Sequence, residues 1–115
     1  MSRFLLVGAG GALGAVARYA VSLLGARWPG FPAATLAVNV VGCLAIGVLG
    51  STLTSENARL FLLTGILGGF TTFSAFGLET QTLASEGKPG LAALYVAVSV
   101  SAGLGAVWLG RALAR

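Results

Sequence analysis

Long apolar segments alternate with short polar stretches along the whole chain. The apolar segments lie at about residues 3–24, 32–53, 58–83 and 91–113, and the stretches between them hold glycine, proline and charged residues. A helix needs about 20 apolar residues to cross the hydrocarbon core of a bilayer, which is close to the length of each segment. The pattern therefore predicts an all-α membrane protein, in which a single domain has four transmembrane helices.

The composition supports this interpretation. Hydrophobic residues make up 57% of the 115 residues, charged residues make up only 9%, and the mean hydropathy is +0.94. These values lie outside the range of soluble proteins. The seven Lys and Arg residues outnumber the three acids and give a net charge of +4, but they are spread singly along the chain. This spread favours anchoring at lipid headgroups over nucleic-acid binding.

The third segment contains a weak place for a helix. Gly68 and Gly69 each cost about 1 kcal/mol relative to Ala in a helix interior, and the hydroxyls of Thr71 and Thr72 can bond back to the backbone and loosen it further. We therefore predict that the third helix is broken near its middle by the glycine pair. Freed backbone groups at membrane depth must be buried in protein, bind an ion or line water.

Three polar side chains lie within or at the edge of the apolar segments. Arg18 either reaches the membrane interface from its helix end, or attracts anions to a vestibule. Asn39 either joins two helices or faces a polar path, and the sequence alone favours neither. Glu79 lies one turn beyond the third-span phenylalanines, inside the apolar region or at its edge.

Two further pairs have the spacing of a helical face. Phe73 and Phe76 are three residues apart and share a face just beyond the glycine pair, where ordinary core packing is the usual fate of such residues. Tyr95 and Ser99 are four apart in the fourth segment and form a candidate polar track. Serines in membrane helices are more often satisfied by carbonyls of their own helix, so this pair alone does not establish a path.

Two other classes of function are disfavoured. Residues 4–14 superficially resemble a strand followed by a dinucleotide-binding glycine loop, but that site needs an acid about 20 residues later and the first acid is Glu56. Gly10 and Gly14 instead favour close packing of two membrane helices. The chain has no His, an isolated Cys43 and three scattered acids. It therefore offers no nucleophile and base for catalysis, and we expect no enzyme.

The charges flanking the four segments give only a weak preference for one orientation. Arg3, Arg59, Arg111 and Arg115 fall on the side of the termini, whereas Arg27 and Lys88 fall on the other side. A chain that inserts both ways would show such a weak bias, and two copies could then pair antiparallel. Four helices this small leave no room for a pore within one chain, so we expect a dimer.

Three motifs identify a family that the chain resembles. They are Gly10-Gly11-x-x-Gly14-Ala15-x-x-Arg18-Tyr19, then Thr35-Leu36-x-Val38-Asn39-x-x-Gly42, and then Gly68-Gly69-Phe70-Thr71-Thr72-Phe73-Ser74-x-Phe76 with Glu79. Together they resemble the small fluoride channels of the Fluc/CrcB family, over the first three spans and most of the fourth. The departures are small: Ala34 and Ala75 stand where Gly and a hydroxyl residue are common, and Gly103 stands where the polar track after Ser99 is expected to continue.

The resemblance implies an antiparallel, dual-topology homodimer in the cell (inner or plasma) membrane, with two pores that export cytoplasmic fluoride passively. It implies a structural sodium ion at the dimer centre, held by backbone carbonyls of Gly68 and Gly69. Carbonyl oxygens suit such a hard cation. It also implies a fluoride pathway in which the rings of Phe73 and Phe76 present their edges, together with Asn39, Thr72, Ser74, Tyr95, Ser99 and, near an entrance, Arg18.

Two alternatives from other classes compete with this interpretation. A proton-coupled small multidrug exporter also has four short spans, but its mechanism resembles one that needs a carboxylate in the first span, and residues 3–24 contain none. A structural membrane subunit would explain the glycine faces. It would not explain Asn39, the threonines and the phenylalanine pair together.

Overall fold

The computed structural model describes residues 2–115, and all of the regular secondary structure in these residues is helical. In chain order the elements are α1 (Ser2–Gly25), α2 (Ala33–Thr52), α3 (Glu56–Arg59), the π-helical segment π1 (Leu60–Leu67), α4 (Gly68–Phe70), α5 (Phe73–Ser85) and α6 (Pro89–Leu113). The elements from α3 to α5 form one third span, Glu56–Ser85, so these residues contain four helices long and apolar enough to cross a membrane. The prediction of an all-α chain with four spans is confirmed.

Short turns with simple local chemistry connect the spans. The Ser55 hydroxyl caps α3 by accepting a hydrogen bond from Ala58 N at 3.3 Å. Gly30 and Gly87 take positive φ angles of 95° and 79° in the other two connections, a conformation that glycine adopts at little cost. Since consecutive spans alternate in direction, residues 53–55 lie at the same end of the bundle as both termini.

The third span departs from regular helix at Thr71 and Thr72. Both residues are extended, with φ/ψ of −86°/159° and −152°/124°. Gly68 and Gly69 themselves lie in α4, and Gly68 has helical angles of −62° and −38°. The sequence analysis placed the interruption at the glycine pair. In the structure the backbone leaves the helix only at the two threonines that follow.

Glycines bring α1 against the first half of the third span. A Cβ on Gly10 would collide with Phe61 O and would lie 2.9 Å from Gly65 Cα. A Cβ on Gly14 would collide with Ile66 O. The two backbones are therefore in direct contact, as the predicted glycine face requires.

A second glycine crossing joins α2 to α6. A Cβ on Gly47 would collide with Val107 O, and a Cβ on Gly110 would collide with Leu44 O and would lie 3.1 Å from Gly47 Cα. In lipid the hydrophobic effect does not drive helices together, so dispersion contacts between closely packed backbones supply much of the association energy. The four spans therefore form two tightly crossed pairs.

Few side chains are buried within this small bundle. Tyr95 is fully enclosed, and Leu83 and Ala92 lie with it in a cluster that Phe31, Leu36, Phe76 and Leu91 partly cover. Large apolar side chains such as Phe4, Leu13 and Trp108 are instead exposed on the outer surface. This inverted distribution is what a lipid environment permits, and the chain is a multi-pass membrane protein.

Candidate functional site

The Asn39 side chain pairs with the backbone of Thr72 through both of its polar atoms. Its Nδ2 donates to Thr72 O at 3.0 Å, and its Oδ1 accepts from Thr72 N at 2.8 Å. The amide thus replaces the helical hydrogen bonds that the extended residue has lost. Of the two roles left open by the sequence, Asn39 clearly performs that of joining two helices, and one of its two amide hydrogens remains for another acceptor.

This pairing frees a carbonyl in the third span. Thr72 N donates to Asn39, and Thr71 N still donates to Leu67 O at 3.0 Å. Gly68 O therefore lacks the hydrogen bond from Thr72 N that a regular helix would provide. Among residues 2–115, no other backbone hydrogen bond replaces the helical one at the carbonyl oxygens of Gly68 and Thr71, as expected at an interruption.

Gly69 O has a partner of a different kind. Arg18 Nε, on α1, donates to it at 3.2 Å. Arg18 is half-buried in the bundle, so its side chain runs inward to the interruption as well as carrying charge near a helix end. The contact of its Nε with Gly69 O is not one of the two roles considered from the sequence.

The two threonines and Ser74 organise the start of α5. The Thr72 hydroxyl accepts from Ala75 N at 3.2 Å as the helix cap, and it lies 3.3 Å from the Ser74 hydroxyl. The Thr71 hydroxyl donates back to Leu67 O at 2.9 Å. The predicted bonding of a hydroxyl back to the backbone is present at Thr71, whereas Thr72 acts as a helix cap and fixes where Phe73 begins the next helix.

Glu79 is partnered by two hydroxyl groups. Thr35 Oγ1 donates to its Oε2 at 3.0 Å, and Tyr95 Oη donates to its Oε1 at 3.2 Å. Thr35 is on α2 and Tyr95 on α6, so the carboxylate joins three spans. The sequence indicated Thr35 only as part of a motif, and a polar residue one turn before Asn39 was the available signal for its role.

The four aromatic rings of this region form a continuous row. Phe73 and Phe76 have ring centroids 5.6 Å apart, Phe76 and Tyr95 are 5.1 Å apart, and Tyr95 meets Phe31 edge-on at 5.6 Å. The row runs from Phe31 through Tyr95, which is fully buried, and then Phe76 to Phe73, whose exposed fraction is 83%. Core packing therefore does not account for Phe73 within one chain.

A groove of about 380 Å³ brings most of the predicted residues together. Its polar and aromatic lining includes Asn39, Thr72, Phe73, Phe76 and Ser99. Gly68, a predicted sodium ligand, and the motif residues Gly42 and Thr71 also line it. The remaining walls have the pattern of ordinary apolar helix, so the sequence did not identify them as a site: Cys43, Ile46, Leu63, Leu67, Val100 and Gly103. Arg18, Ser74, Glu79 and Tyr95 are not among the lining residues.

Ser99 differs from the other hydroxyl residues that line helices in this bundle. Ser51, Thr71 and Thr80 each donate to the carbonyl four residues earlier. The buried Ser99 Oγ has no hydrogen-bond partner among the described residues. Ser99 therefore lacks the bond to a carbonyl of its own helix that a membrane serine usually forms. Because an unpaired buried hydroxyl is costly, this atom is available to a ligand in the groove.

Comparisons with known proteins agree with these motifs. The family model described as CrcB-like protein, Camphor Resistance (CrcB), matches residues 5–111. A fluoride-specific ion channel FluC of Paracoccus denitrificans is 51% identical over 116 aligned positions, which cover 97% of this chain and 94% of the relative.

Two further relatives have the same printed name. The fluoride-specific ion channel FluC of Methylobacillus flagellatus is 46% identical, with 96% of this chain and 92% of the relative covered. That of Hyphomonas neptunium is 47% identical, with 100% and 97% covered. With a family model over nearly the whole length and relatives far above the identity at which a fold is shared, the chain belongs to the CrcB-like protein family.

Proposed function

We propose that this protein is a fluoride-selective channel that lets cytoplasmic fluoride leave the cell passively. The observation that carries the proposal is the groove in which the unpaired Ser99 hydroxyl, the spare Asn39 amide hydrogen and the phenylalanine rings converge. Each is a donor or a positive edge, and no carboxylate lines the groove among the described residues. Such a lining suits a small anion.

Fluoride is small and strongly hydrated, so a pore must replace its water shell with several weak donors that still release it. Ser99 and Asn39 supply an O–H and an N–H, and Phe73 and Phe76 supply ring edges, which carry the positive part of the aromatic quadrupole. Thr72 and Ser74 add hydroxyls beside them. Tyr95 donates its hydroxyl to Glu79, so its contribution is to hold Phe76 and α5 in place.

The functional unit in this proposal is an antiparallel homodimer inserted in both orientations. Within one chain the groove is open on one side, and Phe73 projects from it with 83% of its surface exposed. A second copy, related by an axis in the membrane plane, would cover the groove and receive Phe73. The weak charge bias of the loops supports insertion in both orientations.

A structural sodium ion at the dimer centre remains part of the proposal, with a change in its ligands. Gly68 O fits because it has lost its helical hydrogen bond, and Thr71 O is free in the same way. Gly69 O fits less well because the Arg18 guanidinium already donates to it. Bare carbonyls suit a hard cation. When bound, sodium supplies positive charge that lowers the barrier to a nearby anion.

The membrane potential provides the driving force. An inside-negative potential of 100 mV favours exit of a monovalent anion by about 2.3 kcal/mol, which is roughly a fifty-fold ratio at equilibrium. Export therefore needs neither a nucleotide nor a coupled ion. The relatives are named as ion channels, which disfavours the coupled exporter and the structural subunit.

The test uses purified dimer in liposomes loaded with potassium fluoride, with valinomycin to balance charge. We expect rapid fluoride release and no chloride release from matched chloride-loaded vesicles. Asn39→Asp, which removes the donor and places a negative charge in the groove, should abolish release, whereas Asn57→Asp on the exposed start of α3 should not. Folded wild-type dimer that releases no fluoride would refute the proposal.

A further inference from the structure

A second depression continues from the groove toward the end of the bundle that holds both termini. It has a volume of about 550 Å³ and is lined by Ile46, Gly47, Gly50, Ser51, Val107, Arg111, Ala114 and Arg115. Ile46 also lines the groove with Asn39 and Ser99, so the two cavities share a wall. The two cavities are therefore adjacent, with Ile46 between them.

The helical rows that line the groove lead directly into this depression. On α6 the residues 99, 103, 107 and 111 recur every four positions, and each lines one of the two cavities. On α2 the residues 39, 43, 46 and 50 recur every three or four positions, and each also lines one of the cavities. Residues three or four apart share a helix face. One face of α2 therefore runs from Asn39 to Gly50, and one face of α6 runs from Ser99 to Arg111.

The arginines in the depression differ from the others at the same end of the bundle. Arg3 forms an ion pair with Glu56 at 3.0 Å, and Arg59 donates to the carbonyls of Gly50 and Leu53. Among residues 2–115, Arg111 and Arg115 have neither a carboxylate partner nor a side-chain hydrogen bond. Two uncommitted guanidinium groups therefore lie where the groove opens.

We propose that Arg111 and Arg115 form an anion-collecting mouth that raises the local concentration of fluoride at the end of the groove. This proposal rests on the proposed function, because it assigns an entrance to the same pathway. A cleft lined by one sign of charge concentrates ions of the opposite sign and raises the rate at which they enter. Arginine suits this role because its guanidinium carries a permanent, delocalised positive charge.

In the antiparallel dimer the mouth of each protomer would open on opposite faces of the membrane. The end of one protomer that holds Arg27 and Lys88 would lie on the same side of the membrane as the mouth of its partner. Each side of the membrane would therefore carry one collecting mouth. This arrangement predicts that loss of Arg111 affects fluoride entry from both sides equally. A mouth on one face alone would make entry asymmetric.

The experiment compares wild type, Arg111→Gln and the double variant Arg111→Gln/Arg115→Gln, with Arg3→Gln as a control that removes an equal charge from the same end. Initial fluoride flux is measured in neutral phosphatidylcholine liposomes at subsaturating fluoride. Impermeant salt sets the ionic strength at about 0.01 M or about 1 M, where the Debye length falls from about 30 Å to about 3 Å.

We expect Arg111→Gln to lower flux at low ionic strength by about threefold or more, and the double variant to lower it further. The deficit should disappear at high ionic strength, and Arg3→Gln should match wild type throughout. Equal flux of wild type and both variants at low ionic strength would overturn the mouth while leaving the channel intact, since wild-type release is measured in the same series.

A repeat in vesicles that contain phosphatidylglycerol separates fluoride from lipid phosphate as the bound anion. A deficit that appears only in the anionic vesicles would assign the depression to a lipid headgroup and overturn the proposal. A deficit of the same size in both supports it. Dimer content, measured by size-exclusion chromatography, shows whether each variant is folded.

Discussion

Arg18 Nε donates a hydrogen bond to Gly69 O at 3.2 Å, and thereby links α1 to the third span just before its interruption. The two residues are 51 positions apart in sequence. The contact places a guanidinium close to the carbonyls proposed to hold sodium. It also makes one side chain responsible for both local charge and local geometry.

Substitutions at Arg18 separate these two contributions. Arg18→Lys keeps the charge and loses the planar fork, whereas Arg18→Gln keeps an N–H donor on a shorter, neutral side chain. We expect both to lower the free energy of unfolding, by about 1.5–3 kcal/mol for loss of a charged hydrogen bond. Thermal unfolding in detergent measures this effect. Unchanged midpoints in both, with Arg27→Gln as the exposed control, would contradict the role of the contact.

Replacing the ring of Phe76 tests the proposed edge contacts with fluoride. Phe76→Leu keeps an apolar side chain and removes the quadrupole, so flux should fall by about tenfold, equivalent to about 1.4 kcal/mol. Phe4→Leu, on the lipid-facing surface of α1, is the matched control and should leave flux unchanged. Liposome flux together with dimer content measures both. Normal flux from Phe76→Leu would rule out direct participation of the ring.

Glu79 offers a test of the network that joins α2, α5 and α6. In Glu79→Gln the side chain keeps one acceptor oxygen, so Thr35 or Tyr95 loses its partner, at a cost of about 1–3 kcal/mol. Tyr95→Phe should cost less in the Gln background than in the wild type. A double-mutant cycle measures this coupling, with Glu86→Gln as the exposed control. Fully additive changes would show that the contacts are independent.

The glycine crossing of α2 and α6 predicts a strong steric effect. Gly110→Ala places a Cβ against backbone atoms of Leu44, Gly47 and Val48, which cannot move as a flexible side chain can. We expect destabilisation of about 1–3 kcal/mol, the usual cost of overpacking. Gly105→Ala, on the same helix with open space at its Cβ, should be neutral or slightly stabilising. Equal unfolding midpoints for both variants would contradict the crossing.

Much of this architecture could be predicted from the sequence, because the relevant signals are local. Apolar length alone gave four spans, and Gly10 and Gly14 gave the α1 crossing. The double pairing of Asn39 with Thr72 could not be predicted, because it depends on how two spans are placed side by side. The same limit applies to Thr35, whose partner Glu79 is 44 residues away.

The position of the interruption shows a finer limit of sequence reasoning. Glycine propensity pointed to residues 68 and 69, yet both remain helical. At Gly69 the backbone of α1 packs so closely that a Cβ would strike the carbonyl of Gly11. Tertiary contact therefore overrides propensity there. The helix yields at the next residues, where the Asn39 amide offers Thr72 alternative hydrogen bonds.

The two glycine crossings also distinguish the helices whose backbones are in direct contact from the part of the bundle that has no such contact. They hold α1 to π1 and α2 to α6, whereas a Cβ on Gly77, in the middle of α5, would meet no atom within 4 Å. Amide protons of α5 are therefore expected to exchange with deuterium sooner than those of the crossed helices at equal depth. The aromatic residues that face the groove therefore belong to the half-span that side-chain contacts, such as the hydrogen bonds of Glu79, hold in place without a close backbone crossing.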